Sequence, residues 1–216
     1  WHGVQASMMK HIGQAYGSLN IAGAAHMFAH QPYVHWLNVF IQQYPELTVK
    51  LINSNQPFNL SNSDIDVAIS KESYILDLSS TLVQPLHTFH YGLYAVPSYI
   101  KQHGTPQSLE DLDQHRCIIL RDLHYWEFAD TGYTVKGTFH VDLSPMLIAA
   151  ATIGMGIVRV AEFLVTEKIH RGELIEVLTH IPPKEEELCI YYPKLAYQPY
   201  KVQVFVDHFL KCAQRL

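Results

Sequence analysis

From Tyr33 onward, apolar residues fall at Tyr33, Trp36, Leu37, Phe40, Ile41 and Tyr44. This is the i, i+3, i+4, i+7, i+8, i+11 ladder of a helix that turns one face to a core. Pro32 suits the first turn, where its missing N–H costs nothing, and Pro45 helps to end the run. Just upstream, Ile21 to Ala25 is small and apolar, as in a strand buried on both faces. A strand feeding a helix opens a βα unit. The loop between them, Ala24-Ala25-His26-Met27-Phe28, lies at the carboxyl end of the strand and the amino end of the helix. Ligands collect there in open α/β sheets, because the first N–H groups of a helix lack internal partners and carry partial positive charge. The loop is the first site candidate, with a plain connection as the alternative.

The pattern downstream repeats this alternation of strand and helix. Leu47 to Ile52 alternates as a second strand, residues 53–63 are a polar loop, and Asp64 to Ile69 reads as a third strand, almost fully apolar after its acidic start. A longer strand, Thr88 to Val96, stops at Pro97; Ser98 to Gly104 reads as a short helix, and Ser108 caps another through Leu112. Cys117 to Leu120 is a strand that opens into the polar loop Arg121 to Tyr125, and Tyr133 to Asp142 has strand character broken at Gly137. Ser144 and Pro145 start a helix, as N-cap and N1, that is apolar on nearly every side through Ile153. A helix apolar all round must be covered all round. One face lies on a sheet, and the other is covered either by a partner subunit or by core packing inside one large domain. Val34 and Val39, outside the main stripe of the first helix, pose the same choice. Gly156 to Val160 reads as a strand, Ala161 to His170 as a helix, Leu188 to Tyr192 as a late strand, and Val202, Phe205, Val206 and Phe209 mark a carboxyl-terminal helix that starts near Pro199. The order β-α-β-(loop)-β places the chain in the α/β class. Residues 1–16 have no clean periodicity and read as a tail or the end of a linker helix.

Composition adds limits. With 216 residues, 48% hydrophobic and 12% aromatic, the chain can bury a sizeable core as one domain or two small ones. No apolar run approaches the roughly 20 residues of a membrane span, and no basic-then-apolar amino terminus suggests a signal peptide. Three widely spaced cysteines, Cys117, Cys189 and Cys212, sit in apolar segments, as reduced core residues of a cytoplasmic protein do. Fifteen basic against 20 acidic residues give a net charge of −5, so the chain is not expected to bind DNA by itself. It begins at Trp1 rather than Met, as a fragment of a longer protein or a processed chain would.

Candidate chemistry narrows the classes further. The chain holds no G-x-S-x-G, H-E-x-x-H, P-loop or G-x-G-x-x-G after a strand, and Gly154-Met155-Gly156 follows a helix as a stop signal. Asp64 and Asp66 alternate in the expected third strand and face opposite ways, which disfavours a paired-carboxylate site. No enzyme and no cofactor are expected. His26, His30 and His35 have spacings that share a helical face, but Pro32 interrupts it and no carboxylate or thiol lies nearby, so no metal site is expected. His87 and His90 point to opposite sides of a strand and read as structural.

The run Gly17 to Ala22, the helix closing on Tyr44-Pro45, and Asp64 to Ile69 resemble the effector-binding domain of LysR-type transcriptional regulators. So do Ala95 to Tyr99 with His103-Gly104-Thr105-Pro106, Leu109 to Leu112, and Ala149-Ala150 leading into Gly154 to Ile157; the order and spacing across residues 17–210 carry the resemblance. It implies two Rossmann-like subdomains joined by two crossover strands, the periplasmic-binding-protein type II architecture. Subdomain I would be residues 17–86 and 193–216, subdomain II residues 87–192. It also implies a small-molecule effector in the cleft, antiparallel pairing into a homodimer or homotetramer, and DNA contact only through an amino-terminal helix-turn-helix absent here; no membrane is implied. The effector-binding residues implied are Ala25, His26 and Met27, Asn53 and Ser54, Ser70 and Lys71, Arg121, Asp122 and His124, and Ser144. Many relatives place Ser or Thr where Ala25 and His26 stand, so the usual hydroxyl clamp on a carboxylate is altered. Lys71 and Arg121 still favour an anion, Arg121 through a bidentate fork. A periplasmic solute receptor of the same architecture is the alternative reading.

Overall fold

A computed structural model of the chain describes residues 15–215 except 24, 55, 56 and 62; the side chains of Ala25, His26 and Thr138 lie outside that description, as does most of the expected tail. In chain order the elements are β1 (Gly17–Gly23), α1 (Tyr33–Gln43), β2 (Leu47–Asn53), β3 (Val67–Ser70), β4 (Thr81–Ala95), α2 (Pro97–His103), β5 (Cys117–Leu120), β6 (Tyr125–Glu127), β7 (Gly132–Thr134) and β8 (Gly137–Val141). They continue with α3 (Ser144–Thr152), β9 (Ile157–Ala161), α4 (Thr166–His170), β10 (Ile175–Val177), β11 (Glu185–Pro193) and α5 (Tyr200–Ala213). The chain divides into two compact units. The first runs to Thr88 and resumes at Glu187, and the second is Phe89–Glu186.

In the first unit, β1 lies between β2 and β3, parallel to both, and β11 runs antiparallel to β3. The buried stripe of α1, Tyr33, Trp36, Leu37 and Phe40, meets Val202, Phe205 and Phe209 of α5. Trp36 stands edge to face on Phe209 at 5.7 Å and Phe40 on Phe205 at 5.2 Å. Fully buried aromatics such as Phe40 and Phe205 each cost about 3–5 kcal/mol when cut to Ala. Ile41, expected in the stripe, is 42% exposed. The strand β3 begins at Val67, so Asp64 and Asp66 precede it instead of alternating within it. Asp66 takes a local structural task, accepting the Asn20 N–H at 2.9 Å.

In the second unit, β4 lies between β9 and β10, antiparallel to both, and β5 lies between β8 and β9, parallel to both. The β6–β7 hairpin stands apart as a two-stranded ribbon. Gly104 ends α2 with φ +88°, a positive value that glycine adopts readily. The strand β4 starts well before Thr88, with Pro85 inside it; a proline has no ladder N–H, which hid this half of the strand from the sequence pattern. At α3 the N-cap is Leu143, so Ser144 and Pro145 both lie inside the first turn. Leu147, Ile148, Ala150 and Ala151 of that helix are buried, while Met146 and Ile153 are 51% and 78% exposed. The helix expected over Ala161–His170 splits into a 3-10 turn, Glu162–Leu164, and α4.

Candidate functional site

Within the first unit, the parallel register aligns the carboxyl ends of three strands, pairing Gly23 with Asn53 and with Ile69. The backbone approach at Gly23 is so close that a Cβ there would collide with the Ile69 carbonyl, and its φ of +123° is one that glycine alone tolerates well. The Ser54 N–H donates to the Gly23 carbonyl at 3.0 Å, which holds the loop after β2 against the end of β1. Asn53 and Ser54, then Ser70 and Lys71 at the end of β3, are thereby brought to one end of the sheet. Ser70 is 6% exposed and Lys71 half-buried. Met27 is 1% exposed, in the core beside Phe28. The side chains of Ala25 and His26 fall outside the described residues; their backbone forms the 3-10 turn Ala25–Ala29. That turn stands between β1 and α1, and one amide of the first helical turn already has a partner outside the helix, Val34 donating to the His30 carbonyl at 3.1 Å. The amino end of α1 is therefore less open than the sequence pattern suggests.

Within the second unit, β5 ends at Leu120 and Arg121 turns the chain with φ 55°. A left-handed conformation at a residue other than glycine costs of order 1 kcal/mol or more and persists where the surroundings fix it. Here the Arg121 N–H donates to the Val141 carbonyl at 2.6 Å and the Arg121 carbonyl accepts from His140 Nδ1 at 2.9 Å. The turn carries Asp122, whose side chain is 98% exposed, and His124, whose backbone carbonyl accepts the Val135 N–H at 2.9 Å. Ser144, half-buried in the first turn of α3, follows β8. The loop after β5 and the helix after β8 thus leave adjacent parallel strands at their carboxyl ends, the placement expected of ligand-binding loops.

Two groups escaped the sequence pattern. His140 sits on β8, and only its register opposite Ile119 brings it to the Arg121 turn. Arg159, in the middle of β9, lies over the Tyr91 ring at 4.5 Å and donates Nη2 to the Glu127 carbonyl at 2.9 Å. Burial pushes its guanidinium below its ordinary value, against the opposing pull of Tyr91, Glu127 and Glu186.

The profile of the LysR substrate binding domain matches residues 13–213. The chain belongs to the LysR substrate binding domain family. Its relatives are regulators: the HTH-type transcriptional regulator CrgA of Neisseria meningitidis serogroup B is 28% identical over 180 residues, 80% of this chain and 59% of CrgA. The HTH-type transcriptional activator TtdR of Escherichia coli K12 is 26% identical over 187 residues, 82% of this chain and 59% of TtdR. This LysR domain therefore spans 59% of the length of these curated relatives. Among solved structures, the CrgA regulatory domain superposes with a TM-score of 0.81 at 26% identity, covering 92% of this chain and 100% of that one. Full-length AphB of Vibrio cholerae superposes at 0.83 with 21% identity over 98% of this chain and 74% of its own, a likeness of fold alone. The architecture is the periplasmic-binding-protein type II fold that the segment order implied. Of regulator and solute receptor, the two readings that the sequence left open, the relatives support the regulator. Among the described residues, no helix is long and apolar enough to cross a membrane.

Proposed function

We propose that this LysR domain is the effector-sensing and oligomerisation part of a cytoplasmic transcriptional regulator, without catalysis of its own. The observation that carries the reading is the family match over nearly the whole chain, with regulators as the relatives. The effector is a small anion, and each unit by itself offers candidate contacts at the ends of its parallel strands: the loop of Ala25 and His26 with the core residue Met27 behind it, then Asn53, Ser54, Ser70 and Lys71, in the first, and Arg121, Asp122, His124 and Ser144 in the second. What supports an anion is the pair of cations Lys71 and Arg121 at strand ends, with Arg121 on a turn whose backbone is fixed from both sides. The domain pairs as a homodimer or homotetramer, and DNA contact belongs to a helix-turn-helix elsewhere in the full regulator. Effector binding biases one conformation over another through differential affinity, and that bias is read at the DNA.

The test is a thermal-shift screen with small carboxylates, amino acids, aromatic acids and inorganic anions. A ligand that binds only the folded state stabilises by about 2.7 kcal/mol at a hundred times its dissociation constant. A saturable shift that disappears in Arg121→Ala or Lys71→Ala supports the reading. A shift that survives both substitutions, or no shift with any anion, sinks it.

A further inference from the structure

The Arg121 turn does more than expose a cation. It folds Asp122 and His124 back over β8, where His140 projects, so that one ligand atom from each of the three lies within 4.8 Å of the others. The two imidazoles meet edge to face with centroids 5.1 Å apart, and Asp122 Oδ1 stands 3.8 Å from His140 Nδ1. We propose that Asp122, His124 and His140 form a site for a borderline divalent transition-metal ion such as Zn²⁺, with the remaining coordination positions open to water or to an anionic ligand.

The hydrogen bonds behind the two rings carry the argument. His140 Nδ1 contacts the Arg121 carbonyl at 2.9 Å, and His124 Nδ1 contacts the Val135 carbonyl at 3.3 Å. A carbonyl can only accept, so each Nδ1 holds the proton and each Nε2 is left with a lone pair. This is the tautomer a metal needs, and a backbone carbonyl behind the ring is how metal-ligating histidines are usually oriented. Both carbonyls are themselves fixed. Arg121 is tied to Val141 at 2.6 Å, and Val135 donates its N–H to the His124 carbonyl at 2.9 Å, a reciprocal clamp. His140 belongs to a strand paired with β5. The two nitrogen ligands are thus preorganised, and the exposed Asp122 carboxylate can swing the short distance that closes the site. Ligands 2.0–2.2 Å from one ion stand roughly 3–3.5 Å apart; the Asp122 carboxylate, 98% exposed and now 3.8 Å from the protonated Nδ1 of His140, has to rotate toward the Nε2 side to complete the set.

The donor set selects the ion. Two imidazoles and one carboxylate suit Zn²⁺, Co²⁺, Ni²⁺ or Cu²⁺, whereas Mg²⁺ and Ca²⁺ want oxygen ligands throughout. Three protein ligands leave a site open, as in ions that go on to bind a further group. The sequence hid this because His140 is far from His124 along the chain, and the expectation of no metal site weighed only His26, His30 and His35. The proposal stands on the second unit alone and does not depend on an organic effector.

The experiment is a titration of the chelator-treated chain with Co²⁺ and then Zn²⁺, in a non-coordinating buffer without organic anions, followed by the visible Co²⁺ bands and by calorimetry. One saturable equivalent is expected, with Co²⁺ displaced by Zn²⁺. His124→Ala and His140→Ala should each weaken it by about tenfold or more, and Asp122→Asn by less. His35→Ala and His180→Ala, at exposed histidines outside the cluster, should leave it unchanged. His140→Gln, which keeps bulk on the strand, gives the same loss with the metal-free melting midpoint as its folding control. Absence of a one-equivalent phase overturns the proposal. So does binding that persists in both His124→Ala and His140→Ala, which assigns the metal to scattered surface histidines.

Discussion

Lys201, on the first turn of α5, sets its ammonium 2.6 Å from Asp66 Oδ1, ahead of β3. The same ammonium donates to the Ser18 carbonyl at 2.6 Å, and the other Asp66 oxygen accepts the Asn20 N–H at 2.9 Å. One partly buried pair therefore locks the carboxyl-terminal helix onto the first strand. Lys201→Met leaves Asp66 and the Ser18 carbonyl without this partner, and the expected cost is about 2–3 kcal/mol. Denaturant unfolding of Lys201→Met, Asp66→Asn and the double variant reads it: the double should lose less than the sum of the singles. A loss below about 0.5 kcal/mol in Lys201→Met would mark an ordinary surface pair.

Asp77 anchors the loop before β3. Burial alone would raise its carboxyl, but hydrogen bonds from the Ser61 hydroxyl and N–H, the Leu60 N–H and the Ser80 hydroxyl outweigh it and hold the group below its ordinary 3.8. A carboxyl depressed in the folded state contributes stability that is present above pH 3.8 and lost as pH falls through the lower folded value. Asp77→Asn should cost about 1–3 kcal/mol at pH 7, and its loss of stability on acidification should be shallower than that of the parent. An unchanged acid limb in the melting curves would refute the assignment.

How far these features can be read from sequence depends on how many residues carry each signal. The helix α1 declared itself because a long apolar stripe is a redundant signal, and Trp36 and Phe40 sit in the core as its periodicity requires. The three-residue strands β6, β7 and β10 offered too few positions for any alternation to stand out. The first half of β4 was masked by Pro85, a local veto that tertiary pairing overrode. The loops after β1, β2, β3 and β5 were placed at strand ends by pattern alone. What pattern does not carry is cross-strand register, and so it missed the meeting of His124 with His140 and the cation–π contact of Arg159 with Tyr91.

Burial pushes the Cys117 thiol up to about 12 and the Cys189 thiol up to about 11, from an ordinary 9.0, with Asp113 and Glu187 adding to the respective shifts. The thiolate is the reactive form, so both should resist alkylation in the native state. Half-buried Cys212, raised by burial as well, should label first; mass mapping after brief iodoacetamide treatment decides the order. The same shifts set an alkaline limit. Above pH 9 the unfolded thiols ionise while the native ones keep their protons, so unfolding releases protons and stability falls as pH rises from 9 toward 11. Tyr94 and Tyr191, also pushed up by burial, steepen the fall. The drop in melting midpoint between pH 8 and pH 10 should shrink in a Cys117→Ala, Cys189→Ala variant; an equal drop would assign the alkaline limit to other groups.

On α3 the exposed Met146 stands on the side opposite the buried Leu147, Ile148 and Ala151, and Ile153, which caps the helix, is exposed beyond its end. On α1, Val34, Val39 and Ile41 are exposed in the same way. An apolar helix face left in water is unfavourable by about 25 cal/mol per Å², and oligomerisation is the means by which the proposed function removes it. These side chains are not covered within the described residues. A homodimer should form through α1 and α3, and Met146→Asp or Ile153→Asp should dissociate it while leaving the fold of each chain intact, since neither side chain is part of the core. Sedimentation velocity over a hundredfold range of concentration reads the dissociation, and circular dichroism reads the fold. If both aspartate variants remain as associated as the parent, the pairing surface lies elsewhere, and a parent that stays monomeric at the highest concentration removes the pairing altogether.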